Sequence, residues 1–128
     1  MLISLAVHGD PQSSRSAHSA LSFAQASAAQ GHQIYRVFFY HDGVRIAGSG
    51  ERERPDVSSL LAGWLELKAL HQLELSICVS AADRRGLAES GAANPEARGE
   101  IHAEFDVVGL GQLIDAIICS ERFITFPA

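Results

Sequence analysis

The chain has 128 residues and only two cysteines, Cys78 and Cys119, with no Cys-x-x-Cys pair. A disulfide framework is therefore excluded, and neither a zinc site nor a thioredoxin-type dithiol has a motif. Cysteine chemistry, where it occurs, uses one thiol at a time. No apolar run approaches the roughly 20 residues of a membrane-spanning helix. The apolar residues 1–7 have no basic segment before them and run straight into His8-Gly9-Asp10-Pro11. They read as a first strand and not as a secretion signal, so the expected compartment is the cytoplasm. A basic stripe is missing too. The formal net charge is −5, and the cations are scattered apart from Glu51-Arg52-Glu53-Arg54 and the pair Arg84-Arg85. Direct nucleic-acid binding lacks its electrostatic footprint. Gly-x-Gly-x-x-Gly, the P-loop, His-x-x-x-His and Gly-x-Ser-x-Gly are all absent; Gly48-Ser49-Gly50 has neither the spacing nor the preceding strand of a nucleophile elbow.

What is present is an alternation of strand and helix signals in a length that suits one domain, 1–128. Short apolar runs at 2–7, 34–40, 74–79, 105–108 and 122–126 read as strands. Ala17, Leu21, Ala24 and Ala28 recur at helical spacing, with Ser13, Ser14 or Ser16 as cap and Gly31 as stop. A second helix starts at Asp56 or Ser58 and carries Leu60, Leu61, Trp64, Leu65, Leu67 and Ala69. A third covers 110–119, with Leu110, Leu113, Ile114, Ile117 and Ile118 expected inward and Cys119 in the core. Residues 41–55 form a long polar connection, 80–86 a turn or short helix closed by glycine, and 87–102 show no clear pattern. The order predicts an α/β three-layer fold, flavodoxin- or Rossmann-like, with a mainly parallel sheet of about five strands. Active groups in such sheets sit at the carboxyl ends of the strands, here after Val7, Tyr40 and Cys78.

Cys78 is the candidate nucleophile. At a strand's carboxyl end, just before a helix start, a thiol faces backbone N–H groups and the positive end of a helix dipole, which favour thiolate. Arg84 and Arg85 add positive potential, and Ser80 is close in sequence. A free cysteine in an apolar run is also, ordinarily, a small buried hydrophobe, and spacing alone leaves both readings open. His8, Gly9 and Asp10 lead towards a helix and form a weak candidate for an anion site. His8, His41 and His71 can converge in space but lack metal-ligand spacing, and His18 and His32 read as solvated. Asp83, Glu89 and Asp106 read as solvated charges or caps, and Phe38-Phe39-Tyr40 as strand core or a subunit contact.

Several segments, in order along nearly the whole chain, resemble the TusD/DsrE family of sulfurtransferase subunits, its TusD branch most. These are the opening strand and loop with the Ala/Ser-rich helix 16–30, Gly31-His32, Val37-Phe38-Phe39-Tyr40 with Asp42-Gly43-Val44, and Val108-Gly109-Leu110-Gly111-Gln112-Leu113. The most specific is Ile77-Cys78-Val79-Ser80-Ala81-Ala82-Asp83-Arg84-Arg85-Gly86. Residues 87–104 match poorly. The resemblance implies that Cys78 accepts and passes on a persulfide sulfur, with no metal or organic cofactor. It implies a heterohexamer with two related small subunits, and upstream and downstream sulfur-carrier proteins as further partners. In the TusD branch the relay serves wobble 2-thiouridine synthesis in tRNA; in the DsrE branch it serves dissimilatory sulfur oxidation. Two rival readings are a scaffold subunit with an inert Cys78 and a nucleotide-binding module built on loop 8–15.

Overall fold

The computed structural model describes residues 1–50, 54–89, 91 and 97–128. Residues 51–53 of the mixed-charge run and the Asn94-Pro95 interruption lie outside them. Five strands form one all-parallel sheet: β1 (Leu2–Val7), β2 (Gln33–Phe39), β3 (Glu74–Cys78), β6 (Asp106–Val108) and β7 (Arg122–Phe126), in the order β6-β3-β2-β1-β7. All five correspond to the expected runs. Between β3 and β6 lie two three-residue strands, β4 (Leu87–Glu89) and β5 (Gly99–Ile101), paired in parallel.

Helix α1 (Arg15–Ala29) is capped by Ser14, whose side chain accepts from the Ser16 N–H, and it stops before Gly31 at φ 87°. Helix α2 (Pro55–His71) starts with proline in its first turn and buries Val57, Leu60, Leu61, Trp64 and Leu67. Trp64 packs edge-on against Phe39, with ring centroids 5.5 Å apart. The polar stretch after β2 is not a plain loop. Residues His41–Ala47 form a 3-10 helix that buries Val44, Ile46 and Ala47. A six-residue helix, α3 (Val79–Arg84), follows β3 directly.

The crossovers through α1 and α2 each step one strand along the sheet. The connection from β6 through α4 (Gly111–Cys119) to β7 runs back across three strands. Right-handed crossovers then put α4 on the opposite face, alone. What it meets there is set by a bulge. Ile3 pairs with Ile34 and Leu5 with Val37, so Tyr35 and Arg36 together oppose Ser4. An extra residue in one strand re-aims side chains, and both Tyr35 and Arg36 reach α4. Tyr35 donates to Asp115 at 2.7 Å, and Arg36 donates to Asp115 and to the Gln112 carbonyl, each at 2.8 Å. A second Arg36 nitrogen bonds Glu74 at 2.7 Å.

This polar patch corrects the expected orientation of α4. Its buried residue is Ala116, and Leu113 packs half-buried against the core as expected, while Leu110, Ile114, Ile117 and Ile118 are 45–76% exposed. The sheet offers a guanidinium beneath the helix, so the helix turns its one carboxylate inward and the aliphatic face outward. Cys119, expected in the core, is exposed. Among the described residues no helix is long and apolar enough to cross a membrane.

Candidate functional site

The carboxyl ends of β1, β2 and β3 lie side by side, and each feeds a chemically distinct segment. Cys78 is the last residue of β3 and pairs with Val108 of β6. It is a free thiol, 1% exposed. It holds the cap position of α3 in an extended conformation, but its side chain makes no capping bond to the helix N–H groups. Its partner is instead Ser80, with Sγ and Oγ 3.3 Å apart. Either atom can donate; towards a thiolate only the hydroxyl does. Ser80 and Val79 are themselves exposed, so the buried sulfur lies one residue below the surface.

Arg84 and Arg85 sit at the far end of α3, about 8 Å along the helix from its start. Arg85 does not turn towards Cys78. It donates to the Ala81 carbonyl at 2.9 Å and to Asp42 at 2.8 Å. Asp42 also meets Arg45 at 3.5 Å, and Arg45 comes within 4.0 Å of Asp10. The chain Asp10–Arg45–Asp42–Arg85 thus ties together the segments that follow β1, β2 and β3. The hydrogen bond from Arg85 holds the Asp42 carboxyl below its ordinary value, with Arg45 adding to the effect.

His8 and His41 meet edge-on at 4.9 Å, and Tyr40 lies 4.2 Å from His41 and 5.9 Å from His8. Burial, and then the neighbouring His41, push His8 below its ordinary value, which favours a neutral ring. His71 ends α2 just before β3 begins, towards the amino ends of the strands, and does not join them. Among the described residues no three metal-ligating side chains come together.

The loop after β1 spends its polar groups internally. Asp10 accepts from the Gln12 N–H at 2.8 Å, and Ser14 occupies the α1 cap and contacts Ser16 at 2.7 Å. The cavity beside it is lined by Asp10 and Asp42, with Arg15 as the one cation among its described lining residues. Two carboxylates against one cation, with the cap already filled, are poor surroundings for a phosphate. Cys119, the other thiol, donates to Asp115 at 3.5 Å, and that carboxylate pushes its thiol up. Exposure alone therefore does not make it the better nucleophile.

Sequence reasoning placed Cys78 at the strand end beside Ser80 and allowed His8, His41 and His71 to converge, of which His8 and His41 do; it missed the Asp42–Arg85 bond. The Asp42-Gly43-Val44 segment stands out in the sequence, but the charge partner of Asp42 lies 43 positions away.

The model of the DsrE/DsrF-like family matches residues 1–126. The chain is 36% identical to "Putative sulfurtransferase DsrE" of Allochromatium vinosum, covering 98% of each chain. It is 38% identical to "Sulfurtransferase TusD" of Pectobacterium atrosepticum and 36% identical to that of Serratia proteamaculans, covering 95% of this chain and 96% of each relative. Among solved structures, the ychN protein from E. coli shares the fold with a TM-score of 0.73 at 20% identity, covering 98% of this chain and 99% of that one.

Proposed function

This chain belongs to the DsrE/DsrF-like family, and we propose that it works as a sulfurtransferase subunit carrying sulfur as a persulfide on Cys78. The observation that carries this reading is the placement of Cys78. It is a free thiol at the carboxyl end of an inner strand, one residue below the surface, with a hydroxyl 3.3 Å away. The Cys78 thiolate attacks the outer sulfur of a donor persulfide; a new S–S bond forms, the old one breaks, and the donor thiolate leaves. An acceptor thiolate then attacks the sulfur held on Cys78 and restores it. The Ser80 hydroxyl donates to the anionic sulfur in both resting forms. Both attacks require a local opening at the first turn of α3, because Cys78 is 1% exposed.

The same reading places the chain in the cytoplasm, in a heterohexamer with two related small subunits, exchanging sulfur with upstream and downstream carrier proteins. The outward aliphatic face of α4 supports assembly, since three exposed isoleucines on so short a helix, with Leu110 at its cap, are uncommon on a free surface. The relay we favour is the one that ends in wobble 2-thiouridine of tRNA. Sulfur oxidation is the second reading, favoured by the 36% identity to the Allochromatium vinosum relative over 98% of both chains.

The deciding experiment loads the assembled complex with a persulfide donor and locates added sulfur by intact and peptide mass spectrometry. One labile sulfur on the Cys78 peptide, lost in Cys78→Ser and kept in Cys119→Ser, is the expected result. Transfer that survives Cys78→Ser leaves a scaffold subunit instead. Restoration of tRNA 2-thiouridine in a bacterial strain lacking its TusD subunit separates the two relays.

A further inference from the structure

Away from Cys78, a cleft of about 580 Å³ opens between the 3-10 helix, the end of α3 and the start of β5. Arg45, Arg84, Arg85 and Arg98 line it, with Asp83 as the one acid among its described lining residues. Four of the chain's ten cationic side chains thus meet at one place on a molecule of net charge −5. The cleft is built by backbone bonds. Gly86, at φ 74°, ends α3, and its carbonyl accepts from the N–H groups of Arg98 at 2.7 Å and Gly99 at 3.3 Å. That junction brings Arg98 to the end of α3. Arg45 and Arg85 are engaged with Asp42. Arg84 and Arg98 are exposed and have no ion pair among the described residues.

A second cavity, of about 440 Å³, shares Asp83 and Leu87 with this cleft and is also lined by Val79, Ser80 and Glu89. The basic cleft therefore adjoins the residues that cover Cys78. Along α3 the separation from Cys78 to Arg84 is about 9 Å, at 1.5 Å per residue. An extended chain covers that distance in two to three residues. Guanidinium groups recognise carboxylates with directional, charge-assisted bonds. The cations come from three separate segments, which suits a row of carboxylates along a chain more than one small oxyanion.

We propose that this arginine cleft holds an acidic peptide segment of the protein that exchanges sulfur with Cys78, with carboxylates two to three residues from that segment's own cysteine. This deepens the persulfide reading above and rests on it for the transfer step. The covalent step is the one already written: the donor's outer sulfur moves to the Cys78 thiolate and the donor thiolate leaves. The cleft supplies only binding and orientation.

The test uses synthetic persulfidated peptides with Asp or Glu two and three positions from the cysteine, and their Asn/Gln counterparts. Sulfur arriving on Cys78 of the assembled complex is followed by mass spectrometry against peptide concentration. With native protein the acidic peptide is expected to show a half-saturating concentration about tenfold lower than its neutral counterpart. High salt removes the difference. The paired substitution Arg84→Gln with Arg98→Gln removes it too, bringing the half-saturating concentration of the acidic peptide to that of its neutral counterpart. A preference that persists in that variant overturns the proposal. So does the same arginine dependence with glutathione persulfide, which assigns the cleft to small anionic thiols. Fluorescence anisotropy of a labelled acidic peptide whose cysteine is replaced by serine measures binding alone. If that binding is arginine-dependent while no sulfur reaches Cys78, the cleft stands and the persulfide reading falls.

Discussion

Gly43→Ala is the sharpest perturbation that the fold offers. A Cβ at Gly43 would lie 2.2 Å from the Val7 carbonyl oxygen and 3.1 Å from its carbon. Both obstacles are backbone, so no side chain can swing aside. That same oxygen accepts the Tyr40 N–H at 3.0 Å, the bond that closes the β1–β2 pairing. Relief requires a separation of about 1 Å between β1 and the 3-10 helix, which packs Val44, Ile46 and Ala47 into the core. Overpacking of this kind costs about 1–3 kcal/mol, and loss of the backbone bond adds about 1 kcal/mol. The sum, about 2–4 kcal/mol, corresponds to roughly 10 °C in Tm for a domain of this size. Trp64, the only tryptophan, lies 1% exposed against Phe39 and reports urea unfolding by its fluorescence. Gly111→Ala is the control: nothing lies within 4 Å of its Cβ, and it opens α4, so stability holds or rises. Asp42 precedes Gly43, so Gly43→Ala also loosens the bond to Arg85. Stability of Gly43→Ala within about 0.5 kcal/mol of the native chain would refute the close approach.

Three further outcomes are expected. Arg36→Met should unfold within about 1 kcal/mol of the native chain, because Glu74 and Asp115, 45% and 41% exposed, return to water. Asp115→Ala should cost more, since it strips a partner from a guanidinium that is 7% exposed, and adding Arg36→Met should restore much of the loss in urea titrations. His8, held below its ordinary value of 6.5, keeps its stabilising neutrality above that pH and loses it as pH falls through the lower folded value. Melting curves should therefore show a fall in stability on acidification below 6.5 that His8→Gln flattens. Ile114→Lys with Ile118→Lys, on the outward face of α4, should leave the melting temperature of the isolated chain unchanged while abolishing co-elution with the two related subunits of the proposed heterohexamer in size-exclusion chromatography.

The five main strands were legible because each is a short, predominantly apolar or β-branched stretch between polar connections. So was the position of Cys78, since topology alone assigns chemistry to the carboxyl ends of strands. The direction of α4 was not. An aliphatic stripe is read as inward by default, and only the bulge at Tyr35 and Arg36, invisible in the sequence, makes the underlying sheet polar enough to reverse it. Strands β4 and β5 have three residues each, too short for any period to show. The Arg85 side chain was expected to serve Cys78 from sequence proximity; a carboxylate 43 positions earlier captures it. Burial of Cys78 was the ordinary expectation for a small apolar thiol, and it coexists with the proposed chemistry.

The pairing of β1 carries a consequence for how the chain comes to fold. β1 takes β2 on one side within its first crossover, but its other edge is filled only by β7, with Glu121 and Leu2 bonded both ways at 2.8 and 3.1 Å. During synthesis that apolar edge stays open until residue 126 has cleared the ribosome. Contacts this distant in sequence form late, and an unpaired inner strand is a template for wrong partners. Chaperone dependence should therefore be greatest for nascent chains halted just before β7, and deleting residues 122–126 should make the chain aggregate through β1.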